Sequence, residues 1–258
     1  MSIFLIKKEK IMNFDERITM FRKLINNSKK IVFLGGAGVS TESGIPDFRS
    51  KNGLYNTHDV KFEKYQPEYL LSHSCLMDNP KVFYEYYRQK LDCRNVEPNI
   101  THYKLARLEE IGKISAIITQ NIDGLHQKAG SKNVFEIHGT TRKVYCTNCH
   151  TNHNPDILFE STEQIPKCKC GGILRPDVTL YEEPLPEEAW INSINALQNA
   201  DLFIIGGTSL TVYPANTLTQ YYHGENCIVI NKDETKQDKW AQLVYRESLG
   251  EVFSKIDV

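Results

Sequence analysis

The sequence predicts an α/β protein built on a mostly parallel sheet with helices on both faces, and two observations predict it. Short apolar, β-branched runs at Lys30–Leu34, Ser115–Thr119, Leu202–Ile205 and Cys227–Ile230 read as strands buried on both sides. Between them lie stretches with helical spacing: Asp15–Asn27 carries Ile18, Phe21, Leu24 and Ile25, and His102–Ile111 carries Leu105, Leu108 and Ile111. Two segments break the alternation. Residues 48–99 are rich in Tyr and helix-like without a clear strand, and residues 139–183 hold the cysteines, prolines and glycines of a loop-rich module. A parallel sheet covered on both faces takes its ligands beyond the carboxyl ends of its strands, so the residues just after the four runs are the place to look for a site.

Composition narrows the function classes. A chain of 258 residues with 40% hydrophobic content can bury one sizeable core with a small appended module. Lys and Arg total 31 against 32 for Asp and Glu, and the net charge of -1 gives no electrostatic argument for nucleic acid or an anionic membrane as the main partner. The apolar run Ile3–Ile6 is far shorter than a secretory signal, and no run reaches the roughly 18 residues of a membrane span. A cytoplasmic protein is expected. Nothing before Met12 is patterned, which leaves Met12 as an alternative start; there is no repeat and no low-complexity tract.

The first run feeds Gly35, Gly36, Ala37 and Gly38, small enough for backbone amides to approach a pyrophosphate. Thr41 stands where the dinucleotide fingerprint has a third glycine, and no second strand ends in an acidic residue about 20 positions on. The loop alone suits either a phosphate site or an ordinary tight strand-to-helix turn. Its continuation favours a ligand: Pro46 disfavours helix at Ile45, and Asp47, Phe48 and Arg49 add an acid, an aromatic face and a guanidinium. After the second run, Thr119–His126 (TQNIDGLH) clusters Gln120, Asn121 and Asp123, more polar side chains than one Asn/Asp/Gly helix cap requires. Phe135–Thr140 (FEIHGT) then ends an alternating pattern in His138, a structural histidine or, beside a nucleotide, a base for a hydroxyl proton.

Cys146-x-x-Cys149 and Cys168-x-Cys170, with 18 residues between the pairs, approach zinc-ribbon spacing. Four thiolates complete a tetrahedral shell and leave no open position, so such a zinc is structural. Four unliganded thiols, or His150 or His153 in place of one cysteine, are the alternatives. Gly171 and Gly172 supply the sharp turn behind the second pair, while the scattered Cys75, Cys93 and Cys227 read as ordinary buried or half-buried thiols.

On these residues the chain resembles the sirtuin family of NAD-dependent protein-lysine deacylases. GAGVSTESGIPDFR, TQNIDGLHQKAG, EIHGT, the paired cysteines, RPDVTLYEE, GTSLTVYPA and INKDET are similar, in order, to the family's successive motifs over residues 36–235. The resemblance implies a Rossmann-like NAD domain (13–48, 100–138 and 184–258), an inserted helical lobe (49–99) and a zinc-binding module (139–183), with a cleft that admits an acyl-lysine peptide. It implies NAD contacts from Ala37, Thr41, Phe48, Arg49, Gln120, Asn121, Ile122, Asp123 and His138, with Thr208, Ser209 and Asn231 on the adenosine half. His138 is the implied general base, with Asn121 and Asp123 beside it, and a structural zinc sits on the four cysteines. NAD is consumed: the acyl oxygen attacks the ribose carbon as nicotinamide leaves, His138 takes a proton from a ribose hydroxyl, and the acyl group departs on ADP-ribose. Two rival readings are a protein ADP-ribosyltransferase using the same pocket, and a zinc-ribbon binding module using NAD as a sensor ligand; a sensor has no use for the His138 base.

Val178–Glu183 (VTLYEE) reads as an extended segment able to pair with a peptide through its main chain, with Val178, Leu180 and Tyr181 as contacts. Glu182 stands where family members usually carry glycine, either altering the peptide rim or serving as a solvated surface charge. Members that remove acidic acyl groups carry Tyr-x-x-Arg in the helical lobe; here Tyr87 takes the arginine's place after Tyr84, and Arg88 lies about 100° further round a helix. Neutral acyl groups, acetyl first, are expected with Tyr84 and Tyr87 near the acyl chain, unless the aromatic run is simply the lobe's core. A monomer is expected.

Overall fold

The computed structural model describes residues 12–48, 53–55 and 59–257, so Arg49 lies outside the described residues. Helix α1 (Phe14–Asn27) starts at a capping box, in which the Asn13 side chain accepts from the Glu16 N–H and the Glu16 carboxylate accepts from the Asn13 N–H. Then come β1 (Ile31–Gly35), the short helices α2 (Pro67–Leu70), α3 (His73–Asp78) and α4 (Pro80–Lys90), and α5 (Ile100–Glu110). Next are β2 (Ile114–Thr119), α6 (Leu125–Lys128), β3 (Val134–Glu136), β4 (Gly139–Cys146), β5 (Asn152–His153), α7 (Ile157–Glu160) and β6 (Leu174–Val178). The chain closes with α8 (Glu187–Gln198), β7 (Leu202–Gly206), β8 (Asn226–Ile230), β9 (Leu243–Tyr245) and α9 (Leu249–Ser254).

Six strands form one parallel sheet in the order β3-β2-β1-β7-β8-β9. The four runs read as strands all lie in it, each within one residue of the observed ends. Side chains alternate between its faces: Ile31 and Phe33 meet Phe21, Leu105 and Phe253 of α1, α5 and α9, while Val32 and Leu34 meet Leu197 of α8 and Leu218 of the 3-10 turn Ala215–Tyr221. The strand order reverses between β1 and β7, which opens a crevice at their carboxyl ends.

A second core is built differently. Phe62, Leu76, Phe83, Tyr84 and Tyr87 pack with Val144, Cys146, Leu158, Leu174 and Leu180, so the helices α2–α4 and the cysteine-bearing segment share one apolar interior. The cysteine-bearing segment also departs from its loop-rich expectation, because β4, β6 and β5 form a three-stranded antiparallel sheet in the order β5-β4-β6. Thr140, Thr141 and Val144 supply the β-branched residues for β4 despite the flanking turn residues. Among the described residues, no helix is long and apolar enough to cross a membrane.

Candidate active site

The loop after β1 makes two 3-10 turns, Ala37–Val39 and Thr41–Ser43, and ends at Gly44 with φ 91°, so no α-helix follows the strand. The Gly36 N–H donates to the Gly206 carbonyl at 3.2 Å and the Gly38 N–H to the Gly207 carbonyl at 2.9 Å. A Cβ on Gly36 would lie 2.7 Å from Thr208 Cβ, and one on Gly38 2.7 Å from Gly207 Cα. These glycines are therefore required by backbone contact between the loops after β1 and β7, and these two amides are engaged there instead of approaching a pyrophosphate as expected.

The loop after β2 is tied to the loop after β1. Ser40 Oγ, buried, donates to Asp123 Oδ2 at 2.7 Å and accepts from Asn121 Nδ2 at 3.0 Å. Asp123 Oδ1 accepts the Leu125 N–H at 2.9 Å. Burial raises the Asp123 carboxyl above its ordinary range, partly offset by Leu125, Ser40 and the charge of Arg142. Gly124 has φ 73°, and a Cβ there would collide with the Arg142 side chain. Nothing in the sequence singles out Ser40 beyond its place in GAGVS, yet it joins the two predicted polar residues.

Gln120 links three elements. Its Nε2 donates to Thr208 Oγ1 at 2.9 Å, and its main-chain carbonyl lies 2.9 Å from His138 Nδ1. A carbonyl only accepts, so Nδ1 carries the proton and the imidazole lone pair sits on Nε2. The backbone fixes the ring on both sides: the Ile137 N–H bonds the Thr119 carbonyl at 3.0 Å and the Thr179 N–H bonds the His138 carbonyl at 2.9 Å. Gly139 follows at φ 74°, against the Asp177 carbonyl.

Among the other predicted contacts, Ala37 is half-buried in the first turn, Thr41 Oγ1 donates to the Gly38 carbonyl at 3.0 Å, and the Ile122 carbonyl accepts from Thr141 N–H and Oγ1. Phe48 meets Tyr55 edge-on at 5.4 Å between centroids. Ser209 Oγ lies 2.8 Å from Thr211 Oγ1, and Asn231, just past β8, donates from Nδ2 to the Asp233 carbonyl at 2.9 Å. The donor set at the switch point thus comprises hydroxyls, carboxamides and one half-buried carboxylate, chemistry that fits a dinucleotide's ribose and amide groups.

The peptide and acyl expectations need correction. Within VTLYEE only Val178 belongs to a strand; the Tyr181 N–H bonds the Leu71 carbonyl at 3.0 Å, its carbonyl accepts from the His73 N–H at 3.1 Å, and the chain turns at Glu182 with φ 79°. Leu180 sends its side chain into the smaller core, and its N–H bonds the Glu183 carboxylate at 2.9 Å. Burial alone would raise Glu183, but the Arg175 guanidinium at 2.6 and 2.9 Å, His73 and the Leu180 N–H hold it down to about 2. Tyr84 and Tyr87 are core residues: Tyr84 Oη donates to the Leu174 carbonyl at 2.6 Å, and the Tyr87 ring stacks on Phe83 and Phe159. Neither offers a face to an acyl chain, because four neighbouring aromatics at positions 83, 84, 86 and 87 fill the lobe interior. Arg88 points elsewhere, with Nε on the Leu158 carbonyl at 2.6 Å and Nη2 on that of Glu163 at 2.8 Å.

The four sulfurs of Cys146, Cys149, Cys168 and Cys170 lie within 4.8 Å of one another, with Cys146–Cys170 at 3.4 Å and Cys149–Cys168 at 3.7 Å. A tetrahedral shell with Zn–S of about 2.3 Å has sulfur–sulfur edges of about 3.8 Å, so the set fits one zinc ion. His150 and His153 are not in the cluster. Gly172 is obligatory here, since a Cβ would sit 2.6 Å from Cys146 Sγ. With four thiolates and no open position, the ion is structural.

Comparison with known proteins agrees with this geometry. Residues 36–214 match the model of the Sir2 family. An NAD-dependent protein deacetylase of Clostridium perfringens is 52% identical over 245 residues, covering 94% of this chain and 99% of the relative. A solved Sir2 bound to acetylated peptide superposes with a TM-score of 0.81 at 34% identity, covering 93% of this chain and 96% of that one. Another, a Sir2 variant with deacetylated p53 peptide and 3'-O-acetyl ADP ribose, gives a TM-score of 0.84 at 35% identity, covering 93% and 96% of the two chains. With the family model matched over residues 36–214 and a curated relative 52% identical over nearly the whole of both chains, the chain belongs to the Sir2 family.

Proposed function

We propose that the protein is an NAD-dependent protein-lysine deacetylase, which transfers the acyl group of an acyl-lysine to ADP-ribose and releases nicotinamide and free lysine. The observation that carries the reading is the His138 ring, held by the Gln120 carbonyl in the tautomer that leaves Nε2 as a base, beside Ser40, Asn121 and Asp123 at the switch point. NAD, when bound, supplies the ribose that accepts the acyl group and leaves nicotinamide behind. Gln120, Asn121, Ile122 and Asp123 line that ribose and the nicotinamide, Ala37, Thr41, Phe48 and Arg49 close over them, and Thr208, Ser209 and Asn231 hold the adenosine half. A carboxylate whose pKa burial raises gains from a cationic partner, a charge that the oxidised nicotinamide of NAD would supply in this pocket. His138 Nε2 takes the proton of a ribose hydroxyl, and the pocket keeps water from competing for the activated ribose.

The nucleotide-binding body comprises 13–48, 100–138 and 184–258, and the lobe opposite it comprises 49–99 and 139–183. The acyl-lysine peptide binds between them beside Val178, Leu180 and Tyr181, which form the rim of the cleft with their own main-chain groups largely engaged within the protein. The relatives' activity on acetylated peptide supports neutral acyl groups, acetyl first. The enzyme acts on proteins as a cytoplasmic monomer, and its net charge of -1 gives no electrostatic pull toward nucleic acid.

The test is nicotinamide release from NAD with and without an acetyl-lysine peptide, for the native protein and His138→Ala. Peptide-dependent release, matched by deacetylated peptide and acyl-ADP-ribose and reduced about 10²- to 10⁴-fold in the variant, is expected. Labelled ADP-ribose retained on protein independently of acylation would instead identify a transferase.

A further inference from the structure

Three non-glycine residues among those described have positive φ: His150, Glu182 and Leu210. An L residue avoids that region because its Cβ crowds the backbone, so a glutamate there calls for an interaction that the turn makes possible. At Glu182 the interaction is specific. The φ of 79° turns the side chain onto the first turn of α3, where Oε2 accepts the Ser74 N–H at 2.9 Å and the Ser74 hydroxyl at 2.7 Å. Both bonds lower the carboxyl's pKa, so it is ionised near neutrality.

The flanking residues reach the same place. The Tyr181 main chain is bonded to Leu71 and His73 on both of its polar groups, and Glu183 lies 2.9 Å from His73 Nδ1. The Tyr181 hydroxyl lies 2.9 Å from that of Tyr55, whose ring rests edge-on against Phe48. The end of the segment assigned to the acyl peptide is thus fastened to residues 71–74 and, through two tyrosines, to the strap assigned to the nicotinamide ribose.

We propose that Glu182 is a positioning residue, whose left-handed backbone and carboxylate latch residues 178–183 onto Ser74 and preset the rim of the cleft that receives the acyl-lysine peptide. The proposal rests on the deacetylase reading. Glycine would make the same turn without strain, but it would lose both bonds to Ser74 and widen the range of conformations the loop must give up when peptide binds. A preset segment lowers that ordering cost, and it does so equally for bound substrate and transition state. The effect therefore falls on the peptide KM and leaves kcat alone.

The experiment compares wild type, Glu182→Gly, Glu182→Asn and Ser74→Ala by acetyl-peptide kinetics at saturating NAD and by amide hydrogen exchange at Tyr181. Asparagine tolerates the left-handed region but is one methylene shorter and uncharged, so it removes the latch without freeing the backbone. Both Glu182 variants are expected to raise the peptide KM about two- to fivefold with kcat unchanged, and to speed exchange at Tyr181. Ser74→Ala gives a smaller rise and adds little to Glu182→Asn. The proposal is overturned if Glu182→Asn matches wild type in KM or in exchange, or if only the glycine variant changes, since backbone freedom alone then explains the effect. A failed deacetylase reading shows separately, as wild-type nicotinamide release indifferent to acetyl peptide, and the exchange comparison still decides the latch.

Discussion

The two cores of this molecule both bury their apolar side chains, but by different routes. In the parallel sheet, neighbouring residues of one strand, such as Phe33 and Leu34, enter opposite faces, and the central strands β1, β2, β7 and β8 each carry a share of both interiors. In the smaller lobe no segment suffices: aromatics of α4 meet residues of β4, α7 and β6, and four cysteines gather at one end. A sheet of that kind is stable through repeated apolar burial. The smaller core is split between two distant segments, and the metal ties together the two ends of the second one, Cys146 with Cys149 and Cys168 with Cys170.

Metal removal sharpens that contrast most. Stripping zinc with a chelator, or Cys149→Ser, removes a contribution on the order of 10 kcal/mol to the smaller lobe, judging from isolated zinc-binding domains. Near-ultraviolet circular dichroism of the tyrosines there should collapse while amides of β1 and β7 stay protected from exchange. Simultaneous loss of both would show that the cores are one cooperative unit. Next is Ile204→Ala, in a fully buried β7 position, expected to cost about 2–5 kcal/mol in urea unfolding while zinc stoichiometry stays at one per chain.

The smallest effect is acid sensitivity. His102 and His126 meet at 4.8 Å between ring centroids, and burial lowers them to about 4 and about 3, the latter helped by the charge of the former. The folded state therefore disfavours their protonation. Their stabilising contribution is complete above the unfolded value of about 6.5 and is lost as pH falls through the window down to those values, by up to about 1.4 kcal/mol per pH unit each. In the smaller lobe the Glu183 clamp runs lower: held near 2 against 4.5 unfolded, it keeps its full contribution above about 4.5 and loses it only toward pH 2. Urea midpoints at pH 7.5 and 5.5 should therefore differ less in His126→Leu than in wild type.

This contrast also explains what the sequence made legible. Strands buried on both sides announce themselves as unbroken apolar runs, and all four were found to within a residue. The three-residue strands β3 and β9 are too short to establish a period, and α9 spans only six residues. Helix α8 did carry a signal, Trp190, Ile194 and Leu197 at helical spacing, hidden by the prolines before it. At the site, Gln120, Asn121, Asp123 and His138 stand out in the sequence because so many polar residues just after an apolar run exceed what one helix cap requires. Ser40 was not, because a serine after glycines is ordinary until its hydroxyl is seen between Asn121 and Asp123. Tyr84 and Tyr87 misled because an aromatic helix face looks the same whether it lines a pocket or fills a core. The extended reading of VTLYEE failed at Glu182, whose positive φ no β-strand pattern announces.

The divided interior of the smaller lobe also bears on how the protein is made. Residues 92–143 separate the aromatic half, ending in α4, from the first residues of β4 that cover it. At a synthesis rate of roughly 5–20 residues per second, those rings leave the ribosome roughly 3–10 s before their partners. For that interval Phe83, Tyr84 and Tyr87 are sticky surface on a nascent chain, which makes this stretch the natural client of a chaperone during translation.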